Sequence, residues 1–280
     1  MGTQIAITVA VAGVGAYAWY TMRRNSTNSG KPIFSSFGFH TLRLESAELI
    51  NHNTKRLRFE LPDKNKSSGL SLTSALLTVS FPKGRWLPVL RPYTPVNDLD
   101  EPGYIELMVK LYPGGKQSTH LHSLRPGDTL TFAPIKELSW TPNKHPHVVL
   151  IAGGAGITPM YQLARGILNN PADQTRISLV WGVNTDEDIF LRDEFAAFER
   201  AYPGRFRAVY VVASPAVGSP HQKGFITKQI LEGAGLDARK DENRNVKVLV
   251  CGPPAMEKAL KRKTGVLEEL GYRPDQVYSF

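Results

Sequence analysis

The sequence predicts two domains, an antiparallel β-barrel followed by an α/β domain with a parallel sheet, preceded by an N-terminal membrane-anchor helix. Three observations predict this. Residues from about Phe39 to Phe132 form short runs alternating polar and apolar, broken by turn signals. From His147 onward, continuous apolar runs alternate with amphipathic helical patterns. The stretch from Ile5 to Met22 carries no charge. Alternating runs suit half-buried antiparallel strands, and fully apolar runs suit strands covered on both faces.

The apolar stretch comes first. At a rise of about 1.5 Å per residue it is just long enough to cross a hydrocarbon core of about 30 Å. Tyr17, Trp19 and Tyr20 precede Arg23 and Arg24, as an aromatic belt and a snorkelling cation would at a bilayer interface. A cleaved secretory signal fits less well, because Met1-Gly2-Thr3-Gln4 has no basic residue. N-myristoylation fails because Ala6 stands where that motif needs Ser or Thr. A buried core helix would not be terminal and followed by a polar segment. The reading is an anchor over residues 1–24 and a linker over 25–38.

In the barrel region, 39–140, Thr41 to Glu45 and Lys55 to Leu61 alternate polar and apolar, and Pro62-Asp63, Pro102-Gly103, Pro113-Gly114-Gly115 and Pro126-Gly127-Asp128 mark turns. Thr141 to Pro146 is too polar and proline-rich for either core, so 141–147 reads as the interdomain linker and 148–280 as the second domain. There the pattern gives strands at Val148 to Ala152, Ile177 to Trp181, Arg207 to Val212 and Val246 to Cys251. Helices are expected from Pro159 to Leu168, near Phe190 to Ala201 and Thr227 to Leu231, and, as one long element, from Pro254 to Leu270.

Composition excludes several functions. The 280 residues contain one cysteine, Cys251, which rules out an internal disulfide and leaves too few thiolates for an iron-sulfur or structural zinc site. His120 and His122 lack further ligands in sequence and read as structural. The net charge of +9 favours acidic partners, but the tight basic clusters have no interleaved aromatics, which argues against nucleic acid.

Three segments carry chemistry. Gly153-Gly154-Ala155-Gly156-Ile157-Thr158-Pro159 follows an apolar strand. Glycines let backbone amides approach a ligand, and the helix begun by Pro159 adds partial positive charge; a tight turn alone is the bland alternative. Cys251-Gly252-Pro253-Pro254 repeats the device after a later strand, and ligands bind outside the carboxyl ends of such strands. A thiol there serves equally as a nucleophile or as a small polarisable wall. Arg91-Pro92-Tyr93-Thr94 joins a phosphate-seeking guanidinium, an aromatic plate and a hydroxyl; a surface edge strand is its bland reading.

The order of these segments, with Gly115-Lys116-Gln117-Ser118 between them, resembles the ferredoxin-reductase-like flavoenzymes and, more closely, the NADH-cytochrome b5 reductases. The similarity runs from about His40 to Phe280 through LLTVSFP, VKLYPGGKQSTHLHSLRPGD, IAGGAGITPMYQL, NTDEDIFLRDEF, CGPPAM and ELGYRPDQVYSF. It implies an FAD-binding barrel and an NADH-binding α/β domain. It places Arg91, Pro92, Tyr93, Thr94, Met108, Val109, Lys110, Gly115, Lys116, Gln117, Ser118 and Thr158 at the FAD. Gly153, Gly154, Cys251, Gly252, Pro253, Pro254 and Met256 fall at the nicotinamide dinucleotide. It also implies catalytic positions at Thr94, near the flavin N5, at Lys110, offsetting charge on the reduced ring, and at Cys251. No metal is implied. The implied acceptor is cytochrome b5, with a quinone, a small molecule or no turnover at all as alternatives. The nearest resemblance is to fungal mitochondrial outer-membrane members, with the endoplasmic reticulum as the alternative membrane. Two departures stand out: Ala133 replaces a Gly before Pro134, and Ala213-Ser214 occupies the place where many relatives carry an Asp that rejects a 2′-phosphate.

Overall fold

A computed structural model describes residues 31–35, 38–82, 86–239 and 245–280. The expected anchor over 1–24 and most of the following linker lie outside the described residues. Among those described, no helix is long and apolar enough to cross a membrane.

Alternation builds the first domain. In β1 (His40–Asn51), His40, Leu42 and Leu44 point inward while Thr41, Arg43 and Glu45 face solvent. The strand pairs antiparallel with β6 (Thr129–Ile135) on one side and β2 (Thr54–Glu60) on the other, with a register shift between Leu44 and Ser46 that bends it from one partner to the next. With β3 (Ala75–Ser80), β4 (Val89–Tyr93) and β5 (Tyr104–Lys110), the sheet runs β4-β3-β6-β1-β2-β5. Past β4, Val96 donates its N–H to the Glu106 carbonyl at 2.8 Å, bringing the chain to the free edge of β5 and closing the barrel. Leu42, Leu44, Leu57, Ile105 and Leu107 fill it around Phe59 and Phe132, whose rings meet edge to face at 5.0 Å.

The second sheet is parallel: β10-β9-β8-β7-β11-β12, from β7 (His147–Gly153), β8 (Arg176–Val183), β9 (Phe206–Val212), β10 (Gln222–Lys223), β11 (Val246–Cys251) and β12 (Val277–Ser279). Every residue of β7 is buried, as a strand covered on both faces requires. Because β7 pairs with both β8 and β11, the chain order reverses there, and the turns that leave β7 and β11 open at the same end of the sheet.

Two helical details departed from expectation. Gly115-Lys116-Gln117-Ser118 is not a loop throughout but the start of α1 (Lys116–Ser123). After α2 (Ile157–Asn169), α3 (Arg192–Ala201) and α4 (Lys228–Gly233), the single helix expected from Pro254 to Leu270 is two, α5 (Pro254–Lys261) and α6 (Val266–Glu269). Thr264 takes a φ of 61° and Gly265 donates to the Arg262 carbonyl at 2.7 Å, which reverses the chain. Lys261, Arg262 and Lys263 fit this ending, since cations are favourable at a helix C-terminus. The strands β10 and β12, of two and three residues, were too short to show a period.

The domains meet over a mixed face, on which Val96 and Met108 of the barrel join the apolar core of the second domain and a row of polar contacts runs beside them. On α2, residues one turn apart dock on the barrel: Gln162 accepts from Thr73 N at 2.8 Å and donates to the Pro95 carbonyl at 3.2 Å, Arg165 donates to the Val96 carbonyl at 3.1 Å, and Asn169 donates to Asp98 at 3.3 Å. The connector between β6 and β7 is fastened too. Asp173, fully buried, accepts from Trp140 Nε1 at 2.8 Å, Asn143 N at 3.3 Å and Thr175 Oγ1 at 2.6 Å.

Burial alone would raise the Asp173 pKa, but hydrogen bonds from Thr175, Trp140 and Asn143 outweigh it and hold the carboxyl below the usual range. A depressed carboxyl contributes stability that is present above its unfolded pKa, about 3.9, and is lost as pH falls through the lower folded value. Asp173→Asn leaves one acceptor and turns an amide N–H₂ toward the remaining donors. The expected result is a loss of about 1.5–3 kcal/mol at neutral pH. The variant should also show a shallower decline below about pH 4. Urea midpoints of both proteins from pH 7 to pH 2 check this.

Candidate functional site

A cleft of about 800 Å³ lies between the domains at the carboxyl ends of β7 and β11. Arg91, Pro92, Tyr93 and Thr94 leave the end of β4 along one wall, with Met108 and Tyr112 beside them and Gly114 to Ser118 at the start of α1. Gly153, Ala155, Gly156, Thr158 and Pro159 face them, joined by Cys251 to Pro254, and Glu137 and Phe280 close one side.

Each wall is held from behind. Gln117 is buried and its amide accepts from Ser80 Oγ and donates to Thr78 Oγ1, which donates in turn to the Arg91 carbonyl at 2.9 Å. Ser118 Oγ donates to the Gly115 carbonyl at 3.0 Å and accepts from Tyr112 N at 3.2 Å. These bonds aim the first turn of α1, whose leading N–H groups have no partner within the helix, into the cleft beside Arg91. At the other end of α1, Lys55 donates to the His122 carbonyl at 2.6 Å, and His122 Nε2 sits 2.7 Å from the Val109 carbonyl, so this histidine is structural.

The opposite wall depends on contact between its own two turns. A Cβ on Gly156 would lie 2.6 Å from the carbonyl carbon of Cys251 and closer still to its oxygen. Glycine is therefore required by close packing of turn on turn, before any ligand is considered. Trp181, wholly buried in β8, fixes the same turn by donating Nε1–H to the Gly154 carbonyl at 3.0 Å. Across the cleft Ala155 N donates to the Tyr112 hydroxyl at 3.2 Å.

The structure thus brings together Arg91, Pro92, Tyr93, Thr94, Met108, Gly115 to Ser118, Gly153, Thr158 and Cys251 to Pro254. It places three expected residues elsewhere. Val109 is on the opposite face of β5 from Met108 and packs in the barrel core. Gly154 gives its carbonyl to Trp181 but keeps its Cα side against the Tyr112 hydroxyl at the cleft, whereas Met256 packs behind Gly153 and Gly252. Lys110 does not line the cleft: its ammonium is 2.8 Å from Asp188 Oδ1, so its charge is met by a carboxylate instead of standing free to offset a ring. Burial would raise the Asp188 pKa, but hydrogen bonds from Lys110 and Asn53 outweigh it and hold the carboxyl low. Sequence reading missed Tyr112, Glu137 and Phe280. Tyr112 alone had a signal, the two-residue alternation that continues from Met108.

Protonation narrows the chemistry. Burial, reinforced by Glu257 and Glu137, pushes the Cys251 thiol up to about 12, so it is a neutral wall and not a nucleophile. Burial likewise pushes the Tyr93 phenol up to about 12. The cleft therefore suits a cofactor that brings its own reactivity.

The matches to known proteins agree with this geometry. Residues 41–139 match the oxidoreductase FAD-binding domain and residues 150–262 the oxidoreductase NAD-binding domain. A protein of Pyricularia oryzae named NADH-cytochrome b5 reductase 2 is 46% identical over the whole of this chain and 89% of its own length. One of the same name from Botryotinia fuckeliana is 50% identical over 90% of this chain and 75% of its own. The chain belongs to the NADH-cytochrome b5 reductase family. Among solved structures, the cytochrome b5 reductase domain of Ulva prolifera nitrate reductase superimposes with a TM-score of 0.78 at 29% identity, covering 89% of this chain and all of that one. The CS-b5R domains of human Ncb5or share the fold, with a TM-score of 0.73 at 20% identity, over 90% of this chain and 71% of that one.

The site fits the two cofactors of a b5 reductase, FAD and NADH. A flavin dinucleotide needs a cationic seat for its pyrophosphate and a flat apolar slot for its ring, in a cavity of about 300–1,000 Å³. Arg91, Lys116 and the α1 N-terminus would provide the first, and Pro92, Tyr93, Thr94 and Met108 the second, since all of them line the cleft. Arg91→Ala removes one charge-assisted contact of about 1.5–3 kcal/mol and should weaken FAD retention by about 10- to 100-fold. The ratio of visible to protein absorbance after gel filtration measures it, and full occupancy in the variant would count against the assignment.

Proposed function

We propose that this chain takes a hydride from NADH onto FAD held in the cleft and delivers the electrons one at a time to cytochrome b5. The observation that carries this reading is the convergence of the Arg91-to-Thr94 strand end, the α1 N-terminus and the two turns of the parallel sheet on one cavity. FAD, when bound, supplies the conversion between two-electron and one-electron transfer. The protein supplies position. Residues 39–140 form the FAD-binding barrel, with Arg91 and Lys116 on the pyrophosphate and Thr94 offering its buried hydroxyl to the ring edge. Residues 148–280 form the NADH-binding domain, in which Gly153 to Gly156 and Cys251 to Pro254 receive the dinucleotide at the switch point of the sheet. Cys251 contributes a neutral sulfur wall beside the nicotinamide. Met108 and Phe280 keep water from the space between the rings.

Ala213 and Ser214 follow β9 with their N–H groups donating to the Val183 and Asn184 carbonyls at 3.0 and 2.8 Å. This loop presents no carboxylate of its own to a ribose. NADH is the preferred donor, with weaker rejection of NADPH than an acid there would give. The charge-free run from Ile5 to Met22 tethers the enzyme to a membrane, the mitochondrial outer membrane by family resemblance, with the endoplasmic reticulum as the alternative.

Two measurements test this. In the first, the protein lacking residues 1–24 is mixed anaerobically with NADH or NADPH, and flavin bleaching and haem reduction are followed with and without cytochrome b5. Rapid bleaching by NADH, slower bleaching by NADPH and subsequent haem reduction are expected; equal efficiency with both donors overturns the preference, and bleaching without haem reduction points to a quinone or small-molecule acceptor. In the second, the full chain should sediment with membranes and resist alkaline carbonate extraction, whereas the truncated chain should stay in the supernatant. Equal partitioning of the two would sink the anchor.

A further inference from the structure

The segment Asn184 to Phe195 is one of the motifs that carry the family resemblance, yet none of its residues lines the cleft. Its turn of 3₁₀ helix, Asp186–Asp188, sends two carboxylates in different directions. Asp186 accepts from Ser219 Oγ at 2.6 Å and Ala216 N at 2.8 Å, tying the turn to the loop after β9 in its own domain. Asp188 reaches the flavin domain. Its Oδ1 accepts from Lys110 Nζ at 2.8 Å and Asn53 Nδ2 at 2.8 Å, and its Oδ2 accepts from Thr185 N at 3.2 Å. His52 Nε2 stands 3.5 Å from the same Oδ1, and Asn51 Nδ2 donates to the Glu187 carbonyl at 2.8 Å. The ion pair is almost wholly removed from solvent, Asp188 at 3% and Lys110 at 7% exposure.

The position of this pair relates it to the reaction. Lys110 lies on β5 between Met108 and Tyr112, which both line the flavin wall of the cleft. Asp188 follows β8, the strand beside β7, and β7 ends in the turn that forms the facing wall. The pair therefore ties the two walls together from behind, and neither of its members lines the cleft. Hydride transfer between rings held by different domains is sensitive to their spacing, and a displacement of about 1 Å can cost about 100-fold in rate. A buried charge pair suits this duty, because neither member tolerates separation from the other in a dry environment.

We infer that Asp188 is a positioning residue which, through Lys110 and Asn53, sets the nucleotide domain against the flavin domain at the spacing hydride transfer needs. This rests on the reading of the cleft as the hydride-transfer site. Binding of NADH depends chiefly on the nucleotide domain, so loss of the clamp should fall on the rate at saturating NADH.

The test uses the full FAD-loaded chain in anaerobic stopped flow. Asp188→Asn keeps size and one accepting oxygen but removes the charge, and Lys110→Met keeps the stem but removes the ammonium. Each should slow flavin bleaching at saturating NADH by at least about 10-fold while NADH affinity changes by less than about 3-fold, and the double variant should be no slower than the slower single one. Asn53→Ala removes a single donor and should give the same split with a smaller loss, so the test stands even where Asp188→Asn fails to hold FAD. Wild-type bleaching in Asp188→Asn and Asn53→Ala would overturn the inference. So would a slow Lys110→Met beside a normal Asp188→Asn, since Lys110 would then act by its own charge, and so would affinity falling in step with rate. Failure of the cleft reading is distinct: the unaltered protein would not be bleached by NADH at all.

Discussion

The site exists because β7 has a parallel neighbour on each side. Only where the strand order reverses do two successive strand-to-helix turns open toward the same space without a helix crossing between them. Here those turns are so close that Gly156 packs on the Cys251 carbonyl, so the nucleotide-domain wall is a single surface assembled from two distant parts of the chain. Trp181 supports it from the next strand, converting a large buried side chain into a hydrogen-bond donor for the Gly154 carbonyl.

A wall is useful only at a fixed distance from its counterpart. The interface between the domains is accordingly held by directional bonds as well as by apolar contact. Gln162, Arg165 and Asn169 project from one face of α2 onto the barrel, and the first turn of that same helix borders the cleft. The helix is thus anchored along its body by one domain while it serves the binding surface of the other. Glu137, which accepts from the Tyr278 hydroxyl at 2.8 Å, adds a contact at the far side of the cleft.

Much of the fold was legible because its cores follow simple periods. The alternation in β1 and the continuous apolar run in β7 fixed strand type and layer, and the arginine and glycine segments marked residues that line the cleft. Features with polar burial were not legible. In α1 the buried face consists of Gln117 and Ser118 with Leu121, so no hydrophobic stripe marks it as a helix. The approach of Lys110 to Asp188 cannot be read from either local segment, because it depends on how two separately patterned domains dock. The family resemblance therefore carried Lys110 to the ring together with its neighbours Met108 and Val109, whereas in the structure its ammonium is 2.8 Å from the Asp188 carboxylate.

The fastened connector has a consequence for how the molecule comes apart. A proline-rich joint between two domains ordinarily lets each keep its own stability, so that one can melt while its neighbour persists. Asp173 instead gathers Trp140 and Asn143 from the joint together with Thr175 at the start of the parallel sheet into one buried cluster. Opening either half would break that cluster along with the contacts of α2. With the connector fastened to the second domain and α2 bonded to the barrel, the two halves, although patterned independently in sequence, are expected to unfold together.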